Sequence, residues 1–325
     1  MIITVTLNPS LDRSVEVESL ERGAVIRAAS SRVDPGGKGV NVARALLANG
    51  VASRAVLTCG GEEGQHLVRL LQAEGVDPIC VWIAGHTRSN ITLAEPDGIV
   101  TKVNEPGPAL TPDDFQQVAS AVLGAIAAPT RPAEPDPAVT PATDWVVVCG
   151  SMPPGLPVES FTQLCQRLTA AGVRLAVDTS GPALRAGAIA GAALVKPNRD
   201  ELAEVVGREL TCLADVVEAA REVRSWGAGA VLASLGAEGA VLVDDDGVTV
   251  GRSPVERPRS AVGAGDALLA GFLAAGAKGG AALAEALAWG AAAVSLPGSR
   301  MPGPGDLQRQ LVHIQPPEQL RLTEA

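Results

Sequence analysis

The chain has 325 residues, enough for one large α/β domain or two modest ones, and 46% of them are hydrophobic. Only 2% are aromatic and tyrosine is absent, so Ala, Val and Leu must fill the core. A formal net charge of −10 argues against a nucleic-acid partner, and it means that an anionic ligand would need a local cluster of Arg and Lys.

Residues 2–7 read as a strand, followed by polar residues rather than the small-residue cleavage site of a signal peptide. The strand ends at Asn8-Pro9. Two short runs around 14–17 and 24–28 are too polar for a buried core, and Gly36-Gly37-Lys38-Gly39 then opens a helix that continues to residue 49. From there the pattern alternates. Strands are predicted at 52–58, 145–149, 175–178, 193–195, 230–234 and 240–243. Helices are predicted at 64–74, 112–127, 157–171, 200–206, 212–226, 266–277 and 281–296. Such βα alternation predicts a mostly parallel sheet with helices on both faces. Short apolar runs at 79–83, 90–95 and 99–104, with the turn signal Asp97-Gly98, interrupt it. The segments around 12–34 and 78–104 are therefore expected to form a small β appendage over one edge of a single domain spanning 1–325. The proline-rich stretch 128–143 reads as an inserted surface loop.

Five cysteines, odd in number and widely spaced, suggest reduced thiols and a cytoplasmic location. The three histidines lack metal-ligand spacing, and no apolar stretch has the character of a membrane span. The expected partner is a small molecule, neither nucleic acid nor membrane.

The strongest chemical signal is Gly263-Ala264-Gly265-Asp266, ahead of an apolar helical run. The first N–H groups of such a helix have no internal acceptor, and the helix dipole favours an anion in front of them. Gly263 and Gly265 permit close backbone approach. Asp266 is placed to take a proton from a hydroxyl beside that anion hole, a combination suited to phosphoryl transfer to an alcohol. The plainer alternative is a glycine-rich turn capped by Asp.

Asp34-Pro35-Gly36-Gly37-Lys38-Gly39-Val40-Asn41 is not a P-loop, because no Gly-Lys-Ser/Thr closes it. Gly37 would still expose backbone N–H groups to a polyol or phosphate, with a charge from Lys38 and an amide from Asn41. The alternative is a flexible turn and a helix start. Asp12 follows the first strand at the ligand-facing end of an open sheet, where it would bind two sugar hydroxyls or serve as a solvated turn. Arg27 and Arg88 sit on the β appendage. If that appendage folds over the Gly37 loop, Arg27, Lys38 and Arg88 converge on one anionic group; otherwise they are solvated.

Lys196-Pro197-Asn198-Arg199-Asp200-Glu201 follows an apolar strand and reads in two ways. Asn198 and Glu201 form a capping box, or Lys196 meets a nucleotide phosphate while Glu201 and Asn198 hold Mg²⁺ through water. The loop Ser234–Gly239 is either a plain hairpin or a nucleotide-facing turn in which Ser234, Gly236 and Gly239 approach phosphate or ribose.

Taken together, Gly36-Gly37-Lys38-Gly39-Val40-Asn41-Val42-Ala43 and Val262-Gly263-Ala264-Gly265-Asp266, in this order and widely separated, resemble the ribokinase/phosphofructokinase-B family of sugar kinases over nearly the whole chain. Within that family, six segments look like the 1-phosphofructokinase and tagatose-6-phosphate kinase branch: residues 6–13, Thr87-Arg88-Ser89-Asn90-Ile91, Asn104-Glu105-Pro106-Gly107-Pro108, Gly150-Ser151-Met152-Pro153-Pro154-Gly155, Asp178-Thr179-Ser180-Gly181 and Lys196-Pro197-Asn198-Arg199-Asp200-Glu201-Leu202. The resemblance implies a ribokinase-like three-layer α/β/α domain with a small β-sheet lid, and a lid of this kind can serve as a homodimer contact. It implies ATP and Mg²⁺, with Asp266 as base and Gly263, Ala264 and Gly265 as anion hole. Asp12, Arg27, Gly37, Lys38, Asn41 and Arg88 would hold the phosphosugar, and Lys196, Asn198, Glu201, Ser234, Gly236 and Gly239 the nucleotide. The expected reaction converts fructose 1-phosphate to fructose 1,6-bisphosphate. Tagatose-6-phosphate or fructose-6-phosphate kinase is the alternative within the class, and a catalytically silent sugar-phosphate sensor the alternative outside it.

Overall fold

The computed structural model describes residues 1–96, 99–127 and 145–315. Ten strands form the main sheet: β1 (Ile2–Thr6), β4 (Ser53–Cys59), β5 (Pro78–Trp82), β8 (Trp145–Cys149), β9 (Arg174–Asp178), β10 (Leu194–Val195), β11 (Val231–Ser234), β12 (Ala240–Asp244), β13 (Gly247–Arg252) and β14 (His313–Gln315). Four others, β2 (Ser10–Glu16), β3 (Ser30–Gly36), β6 (Arg88–Ala94) and β7 (Val100–Asn104), form a separate sheet. The main sheet runs β14-β13-β12-β11-β10-β9-β8-β1-β4-β5, parallel from β5 to β11 and antiparallel beyond. Strands β1 and β8 are buried throughout, as in a parallel sheet covered on both faces.

The helices are α1 (Lys38–Ala48), α2 (Gly61–Ala73), α3 (Pro112–Ala127), α4 (Val158–Ala170), α5 (Gly181–Ile189), α6 (Arg199–Val206), α7 (Leu213–Ser225), α8 (Ala264–Ala274) and α9 (Gly279–Val294). One face of the sheet packs on α3, α4, α5 and α7 through Phe115, Val122, Phe161, Leu168, Leu184 and Val216. The other packs on α1, α8 and α9 through Leu46, Phe272, Leu283 and Trp289. The scarcity of aromatic residues is met by close helix approach. A Cβ on Gly271 of α8 would stand 2.8 Å from the Trp289 ring and 3.0 Å from the Glu285 carbonyl of α9, so the two helices interlock only with glycine there.

β1 lies between β4 and β8, with the chain leaving it in both directions across the sheet. This is a topological switch point, where a crevice opens at the carboxyl ends of the strands. Asn8 follows β1 and Gly150-Ser151 follow β8, and the Asn8 side chain donates to Ser151 Oγ across that opening at 3.2 Å. The four-stranded sheet, ordered β3-β2-β6-β7, shares a cleft with Asn8, Gly150 and Ser151 at that end.

Two expectations about this appendage change. Residues 78–82 are the edge strand of the main sheet, paired in parallel with β4, because their apolar side chains continue its core register. Residues 24–28 form part of an exposed loop, and the strand lies later, at β3. The Asp97-Gly98 turn and the 128–143 loop fall outside the described residues.

Candidate active site

One continuous cleft of about 850 Å³ runs under the four-stranded sheet. Ser10, Asp12, Arg88, Asn90, Lys102 and Asn104 line the end beneath that sheet, and Val255, Leu287, Ala291 and Val294 line the opposite end. Gly37, Lys38, Asn41, Lys196, Gly263, Ala264, Gly265 and Asp266 lie among the lining residues as well. A polar, cationic end and an apolar end joined in one cavity suit two different ligands meeting in the middle.

Asp266 sits in the first turn of α8. Gly263 caps that helix in the left-handed region (φ 77°), a conformation that calls for glycine. Asp266 is only 7% exposed, and Asn41 Nδ2 donates to its Oδ2 at 2.8 Å. Burial pushes its carboxyl up to about 6 and the nearby Asp178 charge adds to this, while the Asn41 hydrogen bond and the Lys196 and Lys38 charges pull it back. It is therefore ionised at neutral pH yet more basic than an ordinary carboxylate, as a general base should be.

Asp178, at the end of β9, is completely buried. Its Oδ1 accepts from Lys38 Nζ at 2.7 Å, and the Lys196 ammonium lies 3.0 Å from Oδ2 as a charge-to-charge contact. Burial alone would raise this carboxyl, but Lys196 and Lys38 outweigh it and hold the group below its usual range. Lys38 also donates to Glu201 Oε1 at 2.9 Å. Burial would lower the Lys38 ammonium pKa, yet Asp178 and Glu201 together raise it.

This corrects the expected trio of cations. The Lys38 ammonium, at the first residue of α1, turns towards Asp178 and Glu201 rather than towards the appendage. Arg27 is exposed on the loop between β2 and β3 and is not among the cleft residues of its own chain. Arg88 does line the cleft. It donates to the Asn8 and Glu105 carbonyls, both at 3.0 Å, and its buried Nε has no partner.

Asp12 belongs to strand β2 rather than to a turn. Its carboxylate accepts from Ser10 Oγ at 2.7 Å and Asn90 Nδ2 at 3.0 Å, and it rests on Gly36, where a Cβ would come within 2.3 Å of its carboxyl carbon. Gly37 caps α1 (φ 111°) and lines the cleft beside Asn41.

Asn198 and Glu201 form the complete capping box of α6. Asn198 Oδ1 accepts from the Glu201 N–H at 2.7 Å, and Glu201 Oε2 from the Asn198 N–H at 2.9 Å. Both still face the cleft, so the structural and the ligand-facing roles coexist. The same holds for Ser234, Gly236 and Gly239, which close the β11–β12 hairpin and line the cleft.

Sequence reading missed Asn8, Ser10, Asn90, Lys102, Asn104 and Ser151 as lining residues. A signal for most of them was present. Ser10 and Asp12, Arg88 and Asn90, and Lys102 and Asn104 are polar pairs two residues apart, which places each pair on one face of its strand.

Residues 6–299 match the family model for pfkB family carbohydrate kinases. A 1-phosphofructokinase from Rhodobacter capsulatus is 39% identical over 86% of this chain and 84% of its own length. The ATP-dependent 6-phosphofructokinase isozyme 2 of Escherichia coli K12 is 38% identical over 82% and 83%. Among solved structures, phosphofructokinase-2 from Escherichia coli in complex with substrates and products superposes with a TM-score of 0.84 at 35% identity, over 95% of this chain and 97% of that one. With a match running from the end of β1 to the turn beyond α9, the chain belongs to the pfkB family of carbohydrate kinases and is a sugar kinase that transfers phosphate to a hydroxyl.

Proposed function

We propose that the chain transfers the γ-phosphate of ATP to the 6-hydroxyl of fructose 1-phosphate. The observation that carries this reading is the place of Asp266: a buried, ionised carboxylate at a helix N-terminus, between a cationic end and an apolar end of one cleft. The sugar phosphate lies at the Arg88 and Lys102 end, its hydroxyls on Asp12, Gly37 and Asn41. The nucleotide lies along Lys196, Ser234, Gly236 and Gly239, with its base among Val255, Leu287, Ala291 and Val294. Asp266 accepts the hydroxyl proton as that oxygen bonds to the γ-phosphorus. The bond from the γ-phosphorus to the bridging oxygen breaks, and ADP leaves with its electron pair. The first N–H groups of α8, at Ala264, Gly265 and Asp266, hold the phosphoryl oxygens while charge builds on them.

Arg88 Nε, Asn8 Oδ1 and Asn90 Oδ1 are buried polar atoms without hydrogen-bond partners at the sugar end. Leaving such groups unpaired is costly, and a polyol phosphate supplies both donors and acceptors for them. Arg88→Ala is expected to raise the sugar-phosphate KM by about 10- to 100-fold with a smaller change in kcat, corresponding to one charge-assisted hydrogen bond. Arg27 would reach this phosphate from a folded-over loop or from a second chain docked on the lid.

Mg²⁺ fits the donor set in one form only. No group of three or more His, Cys, Asp or Glu side chains is placed to hold a metal among the described residues, so the ion would be carried mainly by phosphates and water. Glu201 and Asn198, each already engaged in the α6 cap, would hold its waters. Bound there, the ion would neutralise phosphate charge.

A homodimer through the lid is supported by an exposed apolar side chain, Val103, on the outer face of β7. With Lys102 lining the cleft, Val103 faces away from it, is 55% exposed and pairs with Ile91 of β6. Val103→Glu should shift the sedimentation coefficient from dimer to monomer. The five cysteines are all unpaired, which supports a reducing, cytoplasmic setting. No helix among the described residues is long and apolar enough to cross a membrane.

The test is ADP release measured across fructose 1-phosphate, fructose 6-phosphate, tagatose 6-phosphate and unphosphorylated fructose. The highest kcat/KM is expected on fructose 1-phosphate. The similarity to a 6-phosphofructokinase keeps fructose 6-phosphate as the second reading. Activity confined to the unphosphorylated sugar would overturn the assignment of the cationic end.

A further inference from the structure

Arg44 lies one helical turn beyond Asn41 on α1 and is only 6% exposed, although it carries a permanent charge. Its guanidinium donates to groups from several separate segments. Nε and Nη2 form a two-pronged pair with the Glu74 carboxylate, at 2.6 and 2.8 Å. Nη1 donates to the Ser299 carbonyl at 3.0 Å, to the Pro35 carbonyl at 3.2 Å and to Asn41 Oδ1 at 3.2 Å. An ion pair serving stability alone would need only Glu74. The remaining contacts reach the root of the lid at β3, the turn beyond α9, and the one amide that touches Asp266.

An asparagine amide can present either its oxygen or its nitrogen. With Asn41 Oδ1 held by a cation, Nδ2 is the atom that faces the Asp266 carboxylate, and that 2.8 Å bond is buried. The opposite orientation would set carbonyl oxygen against carboxylate oxygen in a low-dielectric site.

We propose that Arg44 is a positioning residue for phosphoryl transfer: it clamps the Asn41 amide so that Nδ2 donates to Asp266, and it ties that amide to the lid root and to the turn at Ser299. The proposal rests on the reading of Asp266 as the base. The other charges felt by Asp266 come from Asp178, Lys196 and Lys38, with the buried Cys149 thiol nearby, and the variants below leave them in place.

Removing the clamp takes a hydrogen bond away from the charged form of Asp266, which raises its pKa. The base must be ionised, so the acid limb of the kcat/KM profile should move to higher pH. For Arg44→Met the expected shift is about half a unit or more. Its kcat should fall about 10- to 100-fold, the range expected when a reacting group is misplaced, with the sugar KM within about threefold. Asn41→Ala should show the same displacement of the limb, and the double variant should add nothing to it, because both act through one amide. Should Arg44→Met not fold, Glu74→Gln loosens the same guanidinium from a more exposed position and should move the limb in the same direction by less.

An acid limb that stays in place in folded Arg44→Met, or in Glu74→Gln should that be the variant available, overturns the clamp. So does a double variant whose shift is the sum of the two singles. Near-normal turnover by Asp266→Asn would instead overturn the base assignment and this proposal with it. An inactive Asp266→Asn beside an unmoved limb in the Arg44 variant overturns the clamp alone.

Discussion

Asp266→Asn is expected to lower kcat by about 10³-fold, within the range general acid–base catalysis contributes, while fructose 1-phosphate still binds. The substitution keeps the shape of the side chain and lets its amide oxygen accept from Asn41, but it removes the group that takes the proton. The same change should stabilise the fold. With its folded-state pKa at about 6, against an ordinary value of 3.8, the native chain holds this proton more tightly than the unfolded chain does. Stability therefore falls as pH rises from about 4 to about 6, and the whole cost is present at neutral pH. That cost is roughly 3 kcal/mol, from a rise of about two pKa units. Urea unfolding at pH 7 should place the Asp266→Asn variant above the unmodified chain, with the difference vanishing near pH 4. A variant that is both dead and more stable would mark a site where stability has been given up for reactivity. Near-normal turnover would remove Asp266 as base.

The second large effect is expected at Lys196. Lys196→Met keeps much of the side-chain volume but leaves the fully buried Asp178 with one counter-ion instead of two. Breaking a buried ion pair from one side costs about 3 kcal/mol or more, because the remaining charge is still desolvated. The pH dependence follows from the depressed Asp178 pKa. The Asp178 contribution is fully present above the ordinary carboxylate range and is lost as pH falls through the lower, folded-state value. In Lys196→Met that dependence should weaken, with acid unfolding beginning from an already lower plateau. Adding Asp178→Asn should restore much of the lost stability, since no buried charge is then left short of a partner. A double variant as unstable as the single would show that Lys196 stabilises by packing alone.

Asp266 and Lys38 illustrate what could be read from the chain before its structure. Asp266 was legible because its signal is local: a small-residue loop, a carboxylate and an apolar helix follow one another within a few positions. The parallel sheet was legible for a related reason, since each βα unit carries its own periodicity. Lys38 was not. Its partners Asp178 and Glu201 lie 140 and 163 residues away, and no local pattern says that a lysine in a glycine loop will turn towards them. Strand β5 was assigned to the lid because a short apolar run after a helix looks the same at a sheet edge as in an appendage. Only its parallel register with β4 decides the matter. The lid residues Asn90, Lys102 and Asn104 were overlooked because a polar position every second residue reads first as a solvated strand face. Here that face is turned towards the cleft. Arg44 was invisible for the opposite reason: an arginine inside an apolar helix reads as an exposed side chain, and its burial depends on Glu74, Pro35 and Ser299 arriving from three other segments.

Crystallography of the chain with fructose 1-phosphate and a non-transferable ATP analogue tests the central claim most directly. One buried carboxylate should meet the acceptor hydroxyl while cations at the far end of the cleft grip the sugar's own phosphate. The expected map places the 6-hydroxyl about 2.6–3.2 Å from an Asp266 oxygen, its opposite side open to the γ-phosphorus, and the 1-phosphate against Arg88. A sugar bound with its phosphate beside Asp266, or with no hydroxyl in reach of that side chain, would contradict it.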